Sequence, residues 1–94
     1  MPRPRIIKSS GNVFEDLGFS AEEAAILAMR AELMAQLRET IAHRRWTQVE
    51  AAKRLGVTQS RVSDLVRGKA AKFSLDMLIT LASRAGKRVE LAVA

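Results

Sequence analysis

The sequence predicts a mainly α-helical domain, a compact helical bundle followed by one short β-strand at the C-terminus. Three observations support this prediction. A serine or threonine precedes four apolar segments, and a glycine follows three of them, which is how many α-helices begin and end. Apolar residues make up 48% of the 94 residues and aromatic residues only 4%, so the core is expected to consist largely of alanine and leucine. Only the last segment alternates apolar and polar side chains as a strand does.

Composition and charge narrow the classes of function. The 16 lysine and arginine residues outnumber the 10 acidic residues and give a net charge of +6, as in many proteins that bind phosphates. The chain has no cysteine and one histidine, His43, so it lacks a thiolate nucleophile and the ligands of a multi-histidine metal site. Its longest apolar run, residues 24–29, is far shorter than the about 20 residues that cross a membrane. We therefore expect a soluble protein with no enzymatic activity, no cofactor, no metal and no membrane contact.

The first half of the chain divides into an arm and a long helix. Residues 1–19 contain two prolines and a Ser-Ser-Gly run, which favour an N-terminal arm. Ser20 followed by Glu23 is a capping-box pattern and marks a helix start. The helix is predicted to run from Ala21 to about Arg44, a stretch without proline or glycine. Apolar side chains that recur every four positions predict its buried face, formed by Leu33, Leu37 and Ile41 with Leu27 and Met34.

Three shorter helices complete the predicted helical domain, residues 20–86. They cover residues 47–56, 58–68 and 74–86, and each begins with a hydroxyl side chain and ends at a glycine. The hydroxyl can accept a hydrogen bond from a free N–H group of the first turn, and glycine tolerates the left-handed conformation that ends many helices. We therefore expect four helices in this domain.

The C-terminal segment, residues 87–94, is predicted to be a strand that pairs between chains. Its apolar side chains alternate with charged ones, and a single strand is not stable in water without a partner. Within the chain, only Pro2–Lys8 has extended character, and that segment is short and contains two prolines. Pairing with a second chain is therefore expected to form a homodimer, although the long helix could dominate the interface instead. The residues predicted to contribute are Val89, Leu91 and Val93.

The first two short helices are predicted to form a helix-turn-helix over residues 47–68, since they are joined by a short turn that contains Gly56. Ala52 is small enough to let the two helices cross closely. The predicted shared core consists of Val49, Leu55, Val57, Val62 and Leu65, with Val66 on the same inward stripe. The opposite face of the second helix carries side chains suited to hydrogen bonding with base edges: Gln59, Ser60, Ser63, Asp64 and Arg67, with Arg61 at its edge.

These residues carry a resemblance to a known family. The motif resembles the lambda-repressor/Cro-type (XRE) helix-turn-helix, through Thr47-Gln48-x-x-x-Ala52-x-x-Leu55-Gly56-Val57-Thr58-Gln59-Ser60-x-Val62-Ser63-x-Leu65-x-x-Gly68. The flanks resemble small XRE-family antitoxins of the HigA-like kind, through Asn12-Val13-Phe14-x-Asp16-Leu17-Gly18-Phe19 and Gly86-x-x-Val89-x-Leu91. The resemblance implies a lambda-repressor-like fold and a cytoplasmic, nucleoid-associated bacterial protein that represses transcription.

The resemblance also implies which residues read the DNA sequence. In this family the N-terminal part of the second motif helix faces the bases, which here comprises Gln59, Ser60, Arg61 and Asp64. Gln59 suits adenine and Arg61 suits guanine, each through two hydrogen bonds. Arg61 could instead be an exposed charge without a DNA contact. Asp64 repels phosphates, so it either accepts a hydrogen bond from a cytosine amine or pairs within the protein with Arg61 or Arg67.

Contacts to the DNA backbone are implied for a larger set of residues. Both motif helices offer free N–H groups and the positive end of a helix dipole at their N-termini. Thr47 and Thr58 are expected to cap these helices whether or not they also contact phosphate. Backbone contacts contribute affinity and register but no sequence information. The set consists of Arg44, Arg45, Thr47, Gln48, Thr58, Ser63, Arg67, Lys69 and Lys72.

The expected partners follow from these roles. A homodimer would place two motifs about 34–36 Å apart, which matches the half-sites of a palindromic operator in double-stranded DNA. The resemblance implies the antitoxin of a type II toxin–antitoxin pair, which represses its own operon and neutralises a small basic RelE/HigB-like ribonuclease toxin. The acidic segment 9–32, with Phe14 and Phe19, is a candidate toxin surface, or it simply packs onto the core. The alternative is a stand-alone XRE-family regulator. A nuclease is disfavoured by the lack of a carboxylate cluster, and RNA binding by the lack of an aromatic platform.

Overall fold

The computed structural model describes residues 13–93 and shows a bundle of five α-helices, which confirms the mainly helical fold class. Residues 1–12 of the expected arm, including Pro2–Lys8, and the last residue of the expected strand lie outside the described residues. Two elements were not predicted from the sequence: a one-turn helix at residues 13–16, within the expected arm, and a short 3₁₀ turn before the last helix. The elements in chain order are α1 (Val13–Asp16), α2 (Ala21–His43), α3 (Gln48–Leu55), α4 (Gln59–Val66), the 3₁₀ turn (Ala70–Lys72) and α5 (Leu75–Arg84).

Four of the helices begin with a side-chain cap, as predicted. The capping residue has an extended backbone, and its hydroxyl oxygen accepts a hydrogen bond from the backbone N–H three residues later. These donor–acceptor distances lie between 3.1 and 3.2 Å. Each cap satisfies one of the N–H groups that have no partner within the helix. The capping residues are Ser20, Thr47, Thr58 and Ser74.

The core lies between α2 and the three following helices. Leu37 of α2, Leu55 of α3, Leu65 of α4 and Leu81 of α5 are each at most 1% exposed. Phe73, which follows the 3₁₀ turn, is also buried at 2% exposure. The remaining buried apolar side chains of this cluster are Leu33, Met34, Ile41, Ala51, Ala52, Val62, Leu78, Ala82 and Ala85.

Two valines that were predicted to be in the core are largely exposed. Val49 is 47% exposed and Val66 is 42% exposed. The inward face of α3 is formed by Ala51, Ala52 and Leu55. Val49 lies two positions before Ala51, which is about 200° around the helix and places it outside this inward face. Val66 is the last residue of α4, beyond the buried turn of that helix.

Residues 87–93 have no regular secondary structure in this single chain, so the predicted strand is not observed. A strand is defined by the hydrogen-bond ladder to a neighbour, and no strand is present within residues 13–93 to supply one. Leu91 and Val93 are 77% and 86% exposed, and Val89 is 38% exposed. Pairing of this segment with a second chain therefore stays a prediction.

Candidate nucleic-acid interface

The two motif helices are joined by a turn of three residues, 56–58, as the helix-turn-helix predicts. Gly56 takes the left-handed conformation with φ 69° and ψ 36°, which reverses the chain directly after Leu55. The N–H of Val57 then donates to the carbonyl of Ala52 at 3.0 Å, and Thr58 caps α4. Helices α3 and α4 pack directly against each other, and Ala52 is buried at 9% exposure.

An arginine from outside the motif holds the turn. Nη1 of Arg84, the last residue of α5, donates to the carbonyl of Leu55 at 2.9 Å. The same nitrogen lies 3.2 Å from the position that a Cβ would occupy on Gly56. The guanidinium therefore satisfies a carbonyl at the end of α3 and fills the space beside the glycine. This contact was not predicted from the sequence, because the two partners lie 29 residues apart and no local pattern links them.

Helix α4 has the polar outer face that was predicted. Val62 and Leu65 are buried beneath it, while Gln59 and Ser60 in its first turn are exposed. Arg61 is half-buried in the same turn. Gln59 and Ser60 therefore combine exposure with hydrogen-bonding side chains.

Arg61 makes contacts within the protein. Its Nη1 donates to the backbone carbonyl of Lys72 at 3.2 Å. Its guanidinium carbon lies 5.5 Å from the centre of the Phe73 ring, a distance at which a cation is attracted to an aromatic face. The side chain therefore links the first turn of α4 to the end of the 3₁₀ turn.

Asp64 pairs with a lysine of the same region. Its Oδ1 lies 3.8 Å from Nζ of Lys69, and the aspartate side chain is 18% exposed. This partner differs from the two arginines considered above, Arg61 and Arg67. The Lys69 ammonium offsets a carboxylate that would otherwise repel a nearby phosphate.

Most of the residues predicted to contact phosphate are exposed. Ser63 is half-buried, and the hydroxyls of Thr47 and Thr58 accept backbone hydrogen bonds from their own helices. Each threonine hydroxyl keeps a hydrogen that it can donate to a phosphate oxygen. The exposed members of the predicted set are Arg44, Arg45, Thr47, Gln48, Thr58, Arg67, Lys69 and Lys72.

Trp46 lies between two arginines at the start of the motif. The guanidinium carbons of Arg44 and Arg54 are 5.4 and 5.0 Å from its ring centre. The indole is partly buried and packs against the core. Arg54 is also paired with Glu50, with 2.7 Å between Nε and Oε1. Arg44 is thus the member of this group without that ion pair, and it is one of the predicted phosphate contacts.

The N-terminal end of the bundle has a different character. The rings of Phe14 and Phe19 pack edge to face with centres 6.3 Å apart. A shallow depression of about 250 Å³ lies next to Phe19 and is lined by that residue with Glu23, Ile26, Leu27 and Arg30. Several apolar side chains of this end are 43–69% exposed: Val13, Leu17, Phe19 and Ile26.

Among residues 13–93, no group of three or more histidine, cysteine, aspartate or glutamate side chains is arranged to hold a metal ion. In the same part of the chain, every helix is too short or too polar to cross a membrane.

Comparison with known sequences gives one match. The sequence model of a protein family described as a helix-turn-helix domain matches residues 13–94. No curated protein matches the chain. The matched range contains all five helices, so it includes the scaffold as well as the motif.

Proposed function

The chain belongs to the helix-turn-helix domain family, and on that premise we propose that it is a sequence-specific, DNA-binding transcriptional repressor of the lambda-repressor/Cro (XRE) type. The observation that carries the proposal is the two-sided character of α4. Val62 and Leu65 anchor the helix in the core, while Gln59 and Ser60 are exposed at its N-terminal end. Insertion of that end into the major groove would bring both side chains to the base edges.

Base reading is assigned first to Gln59 and Ser60. The amide of Gln59 can donate to N7 and accept from the exocyclic amine of an adenine, which distinguishes this base from the other three. Asp64 can accept a hydrogen bond from a cytosine amine if the Lys69 ammonium moves to a phosphate. DNA binding would favour this exchange, since the ammonium gains a phosphate partner.

Affinity is assigned to the basic residues and to the two helix N-termini. The N–H groups that follow Thr47 and Thr58 point out of the helices and can donate to phosphate oxygens. Exposed side chains beside them supply positive charge. Together these groups account for binding to any sequence and for its dependence on salt. The charged and polar side chains of this set are Arg44, Arg45, Gln48, Ser63, Arg67, Lys69 and Lys72.

The experiment compares Gln59→Ala with Lys69→Ala on two duplexes, one selected from a random-sequence pool and one scrambled. Gln59→Ala should lose about 1–3 kcal/mol on the selected duplex only, because it removes a base contact. Lys69→Ala should weaken binding to both duplexes alike and reduce the salt slope by about one. Fluorescence anisotropy at several salt concentrations measures both effects, with melting temperatures as the control for folding. Equal losses on both duplexes for Gln59→Ala would contradict base reading by α4.

We also propose that two copies bind a palindromic operator. Residues 87–94 would pair with the same segment of a second chain, burying Val89, Leu91 and Val93. The exposure of Leu91 and Val93, at 77% and 86%, supports this use of the segment. A chain truncated after residue 86 should be monomeric by light scattering and should bind a single half-site. If the truncated chain still dimerises, the dimer interface is formed by α2 and not by the C-terminal segment.

A more specific role is as the antitoxin of a toxin–antitoxin pair that neutralises a RelE/HigB-like ribonuclease. The surface at the N-terminal end of the bundle supports it, since exposed apolar side chains occur there in a segment rich in acidic residues. Such a surface suits a small basic protein. Ile26→Ser should weaken capture of a toxin encoded by the adjacent reading frame, because it removes an apolar contact, and leave DNA affinity unchanged, because it alters no charge. If the full chain captures no such product, it is a stand-alone regulator.

A further inference from the structure

The loop between α4 and α5, residues 67–74, carries three of the basic side chains assigned above to phosphate contacts: Arg67, Lys69 and Lys72. The 3₁₀ turn within it has no side-chain cap at its N-terminus, where Lys69 takes an irregular backbone conformation. Phe73 anchors the far end of the loop in the core. The start of the loop is held to α4 by the N–H of Lys69, which donates to the Asp64 carbonyl at 3.0 Å. Lys72 lies between that bond and the Phe73 anchor, so a further contact with α4 would fix its position.

Arg61 provides such a contact. Its guanidinium donates to the Lys72 carbonyl at 3.2 Å, and the guanidinium carbon lies 5.5 Å from the centre of the Phe73 ring. Arg61 is also the residue whose backbone N–H is bound by the Thr58 cap, at 3.2 Å. The backbone of Arg61 is thus fixed in the first turn of α4, and its guanidinium contacts the basic loop, residues 67–74.

These contacts compete with the base contact that the sequence predicts for this residue. To lie in the plane of a guanine, the Arg61 guanidinium would leave the Phe73 ring, and Nη1 would give up the Lys72 carbonyl. That carbonyl would then need another donor or water. The existing arrangement satisfies the carbonyl and places the same guanidinium over an aromatic ring. The guanidinium is a rigid fork of donors, whereas a lysine ammonium is a single, strongly hydrated nitrogen.

We infer that Arg61 is a positioning residue, which fixes the basic loop against α4 so that Lys69 and Lys72 meet the phosphate backbone while Gln59 and Ser60 meet the bases. The inference rests on the proposed DNA-binding function. In this role Arg61 contributes affinity through the lysines and does not itself select a base.

The first test is a double-mutant cycle on DNA binding. Arg61→Ala should lower the affinity for selected and scrambled duplexes by the same factor, about fivefold. In the Lys69→Ala/Lys72→Ala background, the same change should cost less than about twofold, because no lysine remains to be positioned. The carbonyl at position 72 is retained in that background, so the loop itself keeps its hydrogen bond to Arg61. When Arg61→Ala is combined with Gln59→Ala, the two losses of binding free energy should add.

Arg61→Lys separates positioning from charge. It keeps the positive charge but has no planar group, so it should show most of the loss of Arg61→Ala. Full affinity in Arg61→Lys, or additivity between Arg61→Ala and the two lysine changes, would overturn the inference. A loss confined to the selected duplex, with relaxed preference at one base pair, would also overturn it and return Arg61 to base reading.

A second test does not involve DNA. The N–H of Phe73 donates to the Ala70 carbonyl at 3.1 Å and reports on closure of the 3₁₀ turn. In Arg61→Ala, hydrogen exchange at this N–H should accelerate about tenfold, while exchange at buried residues of α5 stays unchanged. Unchanged exchange at Phe73 would show that the Arg61 contact does not hold the 3₁₀ turn closed, which contradicts the inference. If the wild-type protein binds no duplex but exchange accelerates in Arg61→Ala as expected, the proposed DNA-binding function is wrong, and the structural role of Arg61 in holding the loop is still supported.

Discussion

The ends of α2 and of the three following helices share one backbone feature, a residue with positive φ, but the residue type at that position differs. After α2, the N–H of Trp46 donates to Ile41 and that of Arg45 to Ala42, both at 3.1 Å. Helices α4 and α5 close with the same pair of hydrogen bonds. In each case the chain turns through one residue with positive φ. After α2 that residue is Arg45, at φ 55°, whereas after α3, α4 and α5 it is Gly56, Gly68 and Gly86, at 69°, 74° and 81°.

Glycine avoids backbone strain at three of these helix ends, whereas Arg45 accepts strain at the fourth. A side chain in the left-handed region costs roughly 1–2 kcal/mol relative to glycine, because its Cβ crowds the following carbonyl oxygen. Arg45 is the one non-glycine residue with positive φ within residues 13–93. It lies two positions before the Thr47 cap, where the proposed DNA interface begins. Strain of this kind is typical of functional sites, and it favours a role for the Arg45 side chain in DNA binding.

The largest expected effect is at the turn of the motif. Gly56→Ala should lower the free energy of unfolding by about 2 kcal/mol, the sum of the left-handed strain and damage to one hydrogen bond. The added Cβ would lie 3.2 Å from Nη1 of Arg84, which donates to Leu55. Urea unfolding followed by circular dichroism measures the change.

The control for the steric part of this loss is Gly86→Ala. Gly86 has φ 81°, but no atom lies within 4 Å of the position that its Cβ would take. The expected loss is therefore the strain alone, about 1 kcal/mol, measured by the same urea titration. If the two alanine variants lose equal stability, the Arg84 guanidinium moves aside freely and does not hold the turn.

The helix boundaries were predictable because they depend on local chemistry. Ser20, Thr47, Thr58 and Ser74 each act on an N–H three residues away, so the signal is contained in a short stretch of sequence. Glycine at a helix end is equally local. For the same reason the helix-turn-helix and its outer polar face could be inferred before the structure was known.

The features that could not be predicted are contacts between residues far apart in the sequence and the identity of the inward face of a short helix. The Arg84–Leu55 contact and the Arg61–Lys72 contact join residues 29 and 11 positions apart. Val49 was misplaced because hydrophobic character alone does not reveal which face of an eight-residue helix is inward. A strand at the C-terminus depends on a partner chain. The assignment of individual residues to bases and phosphates requires the DNA itself.

The smallest expected change in stability is also the most informative, because it is paired with an opposite change in function. Arg45→Gly should raise the free energy of unfolding by about 0.5 kcal/mol, since relief of the left-handed strain is partly offset by the greater entropy of glycine in the unfolded chain. The same variant should bind both selected and scrambled duplexes more weakly and lower the salt slope by about one. Urea unfolding and fluorescence anisotropy measure the two effects on one preparation.

Arg45→Asn is the matched comparison, because asparagine tolerates positive φ yet carries no charge. It should resemble Arg45→Gly in DNA affinity, which would assign the loss to the missing guanidinium and not to added flexibility. Gain of stability without loss of affinity in both variants would remove Arg45 from the interface. Arg45 would then have no function in DNA binding. The difference between arginine after α2 and glycine after the other three helices would affect stability alone.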